Sequence, residues 1–136
     1  VRKGVALLGP EFVARTVDAQ TYWLPGALAE AGTVRETVFL LPAFDEFLIS
    51  YKDRSASLTP QSRAEVITIN GIFRPVVLVN GQVAGTWKRT VKNGAIRVQT
   101  ELFGPDGSPT GEQIENAAAG LGQFLDAPVG VTQTIL

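Results

Sequence analysis

Asp45 and Glu46 are the first residues in this chain that invite a chemical reading, because two carboxylates interrupt an apolar run, LLPAFDEFLIS. Acid–base catalysis needs carboxylates that converge on one bond. Neighbours in sequence diverge in a helix and in a strand alike, so Asp45 is expected to serve as a cap or loop anchor and Glu46 to lie on the surface. Lys52, Asp53 and Arg54 follow. Lys52 and Arg54 are of the type that meets phosphates, which arginine grips with two parallel hydrogen bonds. Asp53 is better read as structural, paired with Arg54 to tie this segment down, and the role of Arg54 stays open. The third constellation is Trp87, Lys88, Arg89 and Lys92, with Arg97 downstream. A basic hairpin that carries an aromatic can lie in a groove and neutralise phosphates. Alternation places Trp87 inward with Val83 and Val91, and Lys88 and Lys92 together on the opposite, wet face. Arg97 faces outward on the next strand. Arg74, between Phe73 and Pro75, reads as an internal packing or hydrogen-bonding residue.

The 136 residues contain no His and no Cys. The commonest general base, thiolate nucleophiles, disulfides and the usual zinc ligands are therefore missing from this chain. Gly81 and Gly85 make no nucleotide fingerprint, since no strand-to-helix transition follows them. No metal and no cofactor is expected. The net charge of −1 conceals an asymmetry: residues 52–97 hold eight basic side chains against two acidic ones. Such a block fits a basic face. It fits equally the Lys and Arg that keep strand edges from pairing with one another.

The elements that must position these residues are legible in part. Hydrophobic content of 45% supports a packed core, and no apolar run has the length of a membrane span. With no signal peptide in view, the expected location is the cytoplasm. The chain starts at Val1 and has no Met, which reads as a piece of a longer protein. Arg2–Leu8 resembles the end of a helix stopped by Gly9-Pro10. Phe12–Val17 and Thr21–Leu24 read as two strands about the turn Asp18-Ala19-Gln20, and a boundary falls near Gly26–Gly32. Thr37–Leu41 is a short strand, Phe44–Tyr51 one or two helical turns, and Pro60–Val66 a short helix capped by Thr59. The dipeptides Asn70-Gly71, Asn80-Gly81 and Asn93-Gly94 demand positive φ. They bound an antiparallel meander of Phe73–Val79, Gln82–Val91 and Ala95–Phe103. Gly111–Leu125 is an amphipathic helix with Ile114, Ala117, Ala118, Leu121, Phe124 and Leu125 on its apolar stripe. Val129–Leu136 is a last strand.

Several of these segments, in this order, resemble a bacterial family of winged-helix DNA-binding proteins. The resemblance rests on Leu41-Pro42 and Phe44-Asp45, then Tyr51-Lys52-Asp53-Arg54-Ser55, Asn70-Gly71-Ile72-Phe73-Arg74-Pro75 and Val83-Ala84-Gly85-Thr86-Trp87, with Gln123-Phe124-Leu125 closing the last helix. The superfamily includes DNA glycosylases acting on alkylated bases and interstrand crosslinks. The resemblance implies tandem winged helices upstream and a small β-barrel last, with the Phe12–Leu24 hairpin as the wing of the final winged helix. The glycosylases of the superfamily carry a catalytic Gln-x-Gln pair in their N-terminal region. No such pair occurs here, since Gln133 is followed by Thr134, Ile135 and Leu136, so no catalytic residue is carried over.

The expected fold is α+β. Residues 1–32 end a winged-helix unit, and residues 33–136 form a small antiparallel β-barrel or bent sheet with a C-terminal amphipathic helix. The expected function is a non-catalytic C-terminal module that supports upstream winged-helix domains and contacts the backbone of duplex DNA through Lys88, Arg89, Lys92 and Arg97. The alternatives are part of a DNA glycosylase whose catalytic residues lie upstream, or a packing or dimerisation module that never touches DNA.

Overall fold

A computed structural model describes residues 4, 7, 9–17, 19–29, 36–104 and 107–136, which fall into two units, Val1–Arg35 and Glu36–Leu136. In the first unit, β1 (Phe12–Val17) pairs antiparallel with β2 (Gln20–Pro25). Val17 stands opposite Gln20, so the turn is two residues long, and Ala19 has φ 63° as such tight turns require. A single helical turn, α1 (Gly26–Ala29), follows, its first N–H donating to the Glu11 carbonyl at 2.7 Å. The hairpin expected between 12 and 24 is present. The helix end expected over Arg2–Leu8 lies outside the described residues apart from Gly4 and Leu7, as do Asp18 of the turn and residues 30–35 around the boundary.

The second unit is built on one five-stranded sheet in the order β3 (Val38–Leu41), β4 (Val76–Val79), β5 (Gln82–Lys92), β6 (Ala95–Leu102) and β7 (Val129–Ile135). Two hairpins make its centre. Asn80 and Gly81 (φ 50° and 81°) turn β4 into β5, and Asn93 and Gly94 (φ 53° and 76°) turn β5 into β6. Paired positive φ values are the geometry whose twist matches that of the flanking strands, and Asn-Gly adopts it most readily. Between β3 and β4 lie two single helical turns, α2 (Glu46–Ile49) and α3 (Arg63–Val66). The helix expected from Pro60 begins only at Arg63. Thr59 Oγ1 instead accepts from the Ser62 N–H at 3.2 Å, which closes a turn ahead of the helix.

The helix over Gly111–Leu125, α4, has the bounds its pattern implied. Thr110 and Gln113 form a reciprocal capping box at its start, and Asp126, left-handed at φ 49°, ends it. This helix is the crossover that allows β7 to run parallel to β6. The remaining pairs are antiparallel. The sheet does not close. β3 and β7 stand at its two edges, so the barrel half of the expectation is corrected to an open sheet in a mixed α+β unit. The three-stranded meander β4–β5–β6 is antiparallel as expected, while the α4 crossover brings β7 back in parallel, so the sheet as a whole is mixed rather than antiparallel.

Each face of the sheet has its own covering. Ile114 and Ala118 of α4 are fully buried against Val77, Leu102, Ile96 and Val98, with Trp87 and Leu40 packed beside them. On the other face, Leu48 of α2, Leu58 and Val66 of α3 are buried against Val76, Leu78 and Val83. Burial of each such aliphatic side chain contributes about 1.5–3 kcal/mol. This second covering reaches only the β4 end of the sheet, and it leaves the polar sides of β5, β6 and β7 open.

A bulge decides which residues reach that open face. Val77 pairs with Gly85 but Leu78 with Val83, so Ala84 is an extra residue in β5. The bulge inverts the alternation upstream of it. Val83 therefore joins the Leu48 core rather than sharing a face with Trp87, contrary to simple alternation from Val83 to Val91. No helix among the described residues is long and apolar enough to cross a membrane.

Candidate nucleic-acid interface

The ladder between β5 and β6 fixes the candidate site. Thr86 stands opposite Glu101, Lys88 opposite Gln99, Thr90 opposite Arg97 and Lys92 opposite Ala95. Directly opposed residues share a face, and all of these lie on the side away from α4. Lys88 and Lys92 are separated by four residues of one strand, about 13 Å. Arg97 faces Thr90, the midpoint between them, one strand away. Three exposed cations thus form a triangle on a rigid two-stranded ladder. The parallel register carries the face onto β7, where Gly130, Thr132 and Thr134 line up with Arg97, Gln99 and Glu101. A side chain at Gly130 would meet nothing within 4 Å, so the gap beside Arg97 is open space. A concavity of about 830 Å³ lies there, lined by Thr90, Lys92, Asn93, Arg97 and Gly130 among others.

Electrostatically the face is cationic with one counter-charge. Lys88 Nζ lies 3.9 Å from a Glu101 carboxylate oxygen, with both side chains about half exposed. An exposed pair at that separation contributes little and leaves the ammonium available to another anion. Chemically, such a surface can neutralise phosphates and hydrogen-bond their oxygens through threonine hydroxyls and an amide.

Arg89 does not belong to this triangle. It stands opposite Val98 and shares the α4 side of the sheet. Strict alternation along β5 already required that adjacent Lys88 and Arg89 point apart, and the expectation that all four bases act together is corrected accordingly.

The other candidates are placed by their hydrogen bonds. Trp87 is half-buried on the α4 side, and its indole N–H donates to the Leu41 carbonyl at 2.8 Å. Asp45 caps α2 by accepting from the Phe47 N–H at 2.9 Å. Glu46 is exposed. Asp53 accepts from the N–H and hydroxyl of Ser55 at 3.0 and 2.7 Å. Arg54 closes the end of α2: its Nε donates to the Leu48 carbonyl, Nη1 to Lys52 at 3.1 Å and Nη2 to Ile49 at 3.5 Å. Its guanidinium lies 5.1 Å from the centre of the Phe73 ring, which in turn packs 6.1 Å from Phe44. Satisfying orphan carbonyls while stacking on an aromatic is a structural use of arginine. Arg74 departs from expectation in the opposite sense. It is exposed, and it meets Glu65 at 3.9 Å rather than packing internally. Among the described residues no cluster of three or more acidic side chains could hold a metal ion.

No curated protein matches the chain. A solved structure, the DNA glycosylase AlkZ of Streptomyces sahachiroi, superposes with a TM-score of 0.68 over 96% of this chain at 26% identity. The chain spans 36% of the length of that glycosylase. The protein family described as DNA glycosylase AlkZ-like matches residues 1–124, and the chain belongs to that AlkZ-like family.

Proposed function

We propose that this chain is the non-catalytic, backbone-contacting part of a DNA glycosylase, with the residues that release the base carried by another part of the protein. The observation that supports this most is the triangle of Lys88, Lys92 and Arg97 on an otherwise polar, uncovered sheet face. Phosphate contacts of this kind orient a protein on duplex DNA without reading sequence. The Gln-x-Gln pair of the superfamily's glycosylases is expected in their N-terminal region, and these residues contain none. The β1–β2 hairpin then acts as the wing of an adjoining winged helix. Base release from alkylated duplex DNA by the protein that contains this chain tests the glycosylase part of the reading. Charge reversal of Lys88 and Lys92 together tests the contact. It is expected to weaken duplex binding and flatten its dependence on salt, whereas unchanged affinity and slope overturn it.

A second reading, a packing or dimerisation module, draws on the exposed Phe44, Phe47, Tyr51 and Ile72 of the segment that covers the β4 end. Concentration-dependent sedimentation of the chain without DNA distinguishes it.

A further inference from the structure

Lys88 also borders a second concavity on the same face. A cavity of about 230 Å³ is lined by Arg74, Thr86, Lys88, Gln99 and Glu101, beside Pro75 and Trp87. Arg74 enters it from a rigid base. Its N–H donates to the Val66 carbonyl at 2.9 Å, Phe73 before it bridges to Ile67, and the Pro75 carbonyl after it accepts from the Trp87 N–H at 3.2 Å. The chain on both sides of the arginine is therefore fixed before any ligand arrives, which lowers the ordering cost of binding. Thr86 is 8% exposed, so a hydroxyl lies at a nearly closed position in the lining.

Both cations of the cavity are held loosely. Arg74 meets Glu65 at 3.9 Å and Lys88 meets Glu101 at 3.9 Å, all with side chains about half exposed. A charge-assisted hydrogen bond is shorter, about 2.7–2.9 Å, so neither pair saturates its cation. Only Glu101 belongs to the lining. The lining thus offers two cations, an amide and a hydroxyl against one carboxylate. Gln99 is two residues from Arg97 on the same strand face, about 7 Å. A nucleic-acid strand that crosses the cationic triangle would reach the cavity with a neighbouring phosphate.

We infer that this cavity takes one phosphodiester group of a DNA strand lying on the sheet face. Arg74 and Lys88 bind its oxygens, Gln99 and Thr86 donate neutral hydrogen bonds, and Glu101 is the counter-charge that the phosphate displaces from Lys88. The inference rests on the reading of that face as a DNA interface, and it adds Arg74 and a competing carboxylate to it.

The test is the affinity of the chain for a fluorescent duplex across a salt series, with Arg74→Gln, Glu101→Gln, Glu65→Gln and Lys92→Gln. Arg74→Gln is expected to weaken binding several-fold and to reduce the salt slope by about 1. Glu101→Gln is expected to tighten binding several-fold. Glu65→Gln, which removes the surface partner of Arg74 without touching the cavity, is expected to leave binding no weaker. Parallel weakening by Glu65→Gln and Arg74→Gln would assign Arg74 to the ion pair alone and overturn the inference. If Lys92→Gln weakens binding while Arg74→Gln and Glu101→Gln leave it unchanged, the cavity is not a subsite and the face reading stands. If all three leave it unchanged, both fall. An NMR titration with inorganic phosphate supplies the last arm: shifts of the Gln99 side-chain amide without any effect of Arg74→Gln on DNA affinity would make this a free-anion site and overturn the phosphodiester assignment.

Discussion

The Trp87 indole N–H reaches the Leu41 carbonyl across 2.8 Å, joining the strand that carries the basic residues to the edge strand two positions away in the sheet. The bond shows how one residue of a basic hairpin can be structural while its neighbour, Lys88, faces solvent. It also sets a direct expectation. Trp87→Phe removes the donor, leaves a half-buried carbonyl acceptor with one partner fewer and opens space between α4 and the sheet. The expected cost is about 2–4 kcal/mol of stability, read as a lower midpoint in urea at an unchanged slope. Duplex affinity of the folded variant is expected to match the parent.

Thr100 gives a prediction of opposite sign. Its side chain is almost fully buried on the α4 side, and its hydroxyl has no hydrogen-bond partner. An unsatisfied buried hydroxyl costs about 1–3 kcal/mol. Thr100→Val keeps the shape and removes the cost, and is expected to raise the melting temperature by a few degrees. A fall in melting temperature would show that the hydroxyl has a partner in solution.

Two glycines of α4 separate packing from propensity. A Cβ at Gly122 would lie 2.7 Å from Val129 Cγ2 and 2.9 Å from the Ala127 carbonyl oxygen, while one at Gly120 would meet nothing within 4 Å. Gly122→Ala is expected to destabilise by about 1–3 kcal/mol through overpacking where the helix returns into β7. Gly120→Ala is expected to stabilise by about 0.5–1 kcal/mol through helix propensity. Chemical denaturation of the two variants side by side checks both signs.

How much of this was visible in the residues follows from where each signal resides. The bounds of α4 were readable from its local apolar periodicity, and the structure adds the capping box of Thr110 and Gln113 and the left-handed stop at Asp126. Both tight hairpins were readable because Asn-Gly is among the few dipeptides that take two positive φ values easily. The parallel pairing of β7 with β6 was not, since a parallel partner is chosen by the crossover and leaves no turn signal in sequence. Closure into a barrel failed for the same reason: edge pairing is decided by tertiary geometry. The position of Val83 was hidden by a bulge at Ala84 that no residue type announces. The separation of Arg89 from Lys88, by contrast, was implicit in the alternation of any strand. The exposure of Arg74 was not legible, because its apolar neighbours Phe73 and Pro75 carry no sign of the distant Glu65 that it meets on the surface.

The placement of Arg89 opposite the triangle makes the sharpest comparison available. The measurement is the salt dependence of duplex binding for the double variant Lys92→Gln/Arg97→Gln set against Arg89→Gln. Each phosphate contact contributes close to one unit of the logarithmic salt slope. The double variant is expected to lose about two units of slope and at least tenfold in affinity at low salt, and Arg89→Gln to change neither. Equal effects from the two faces, or no effect from the double variant, would contradict a DNA interface on the open face of this sheet.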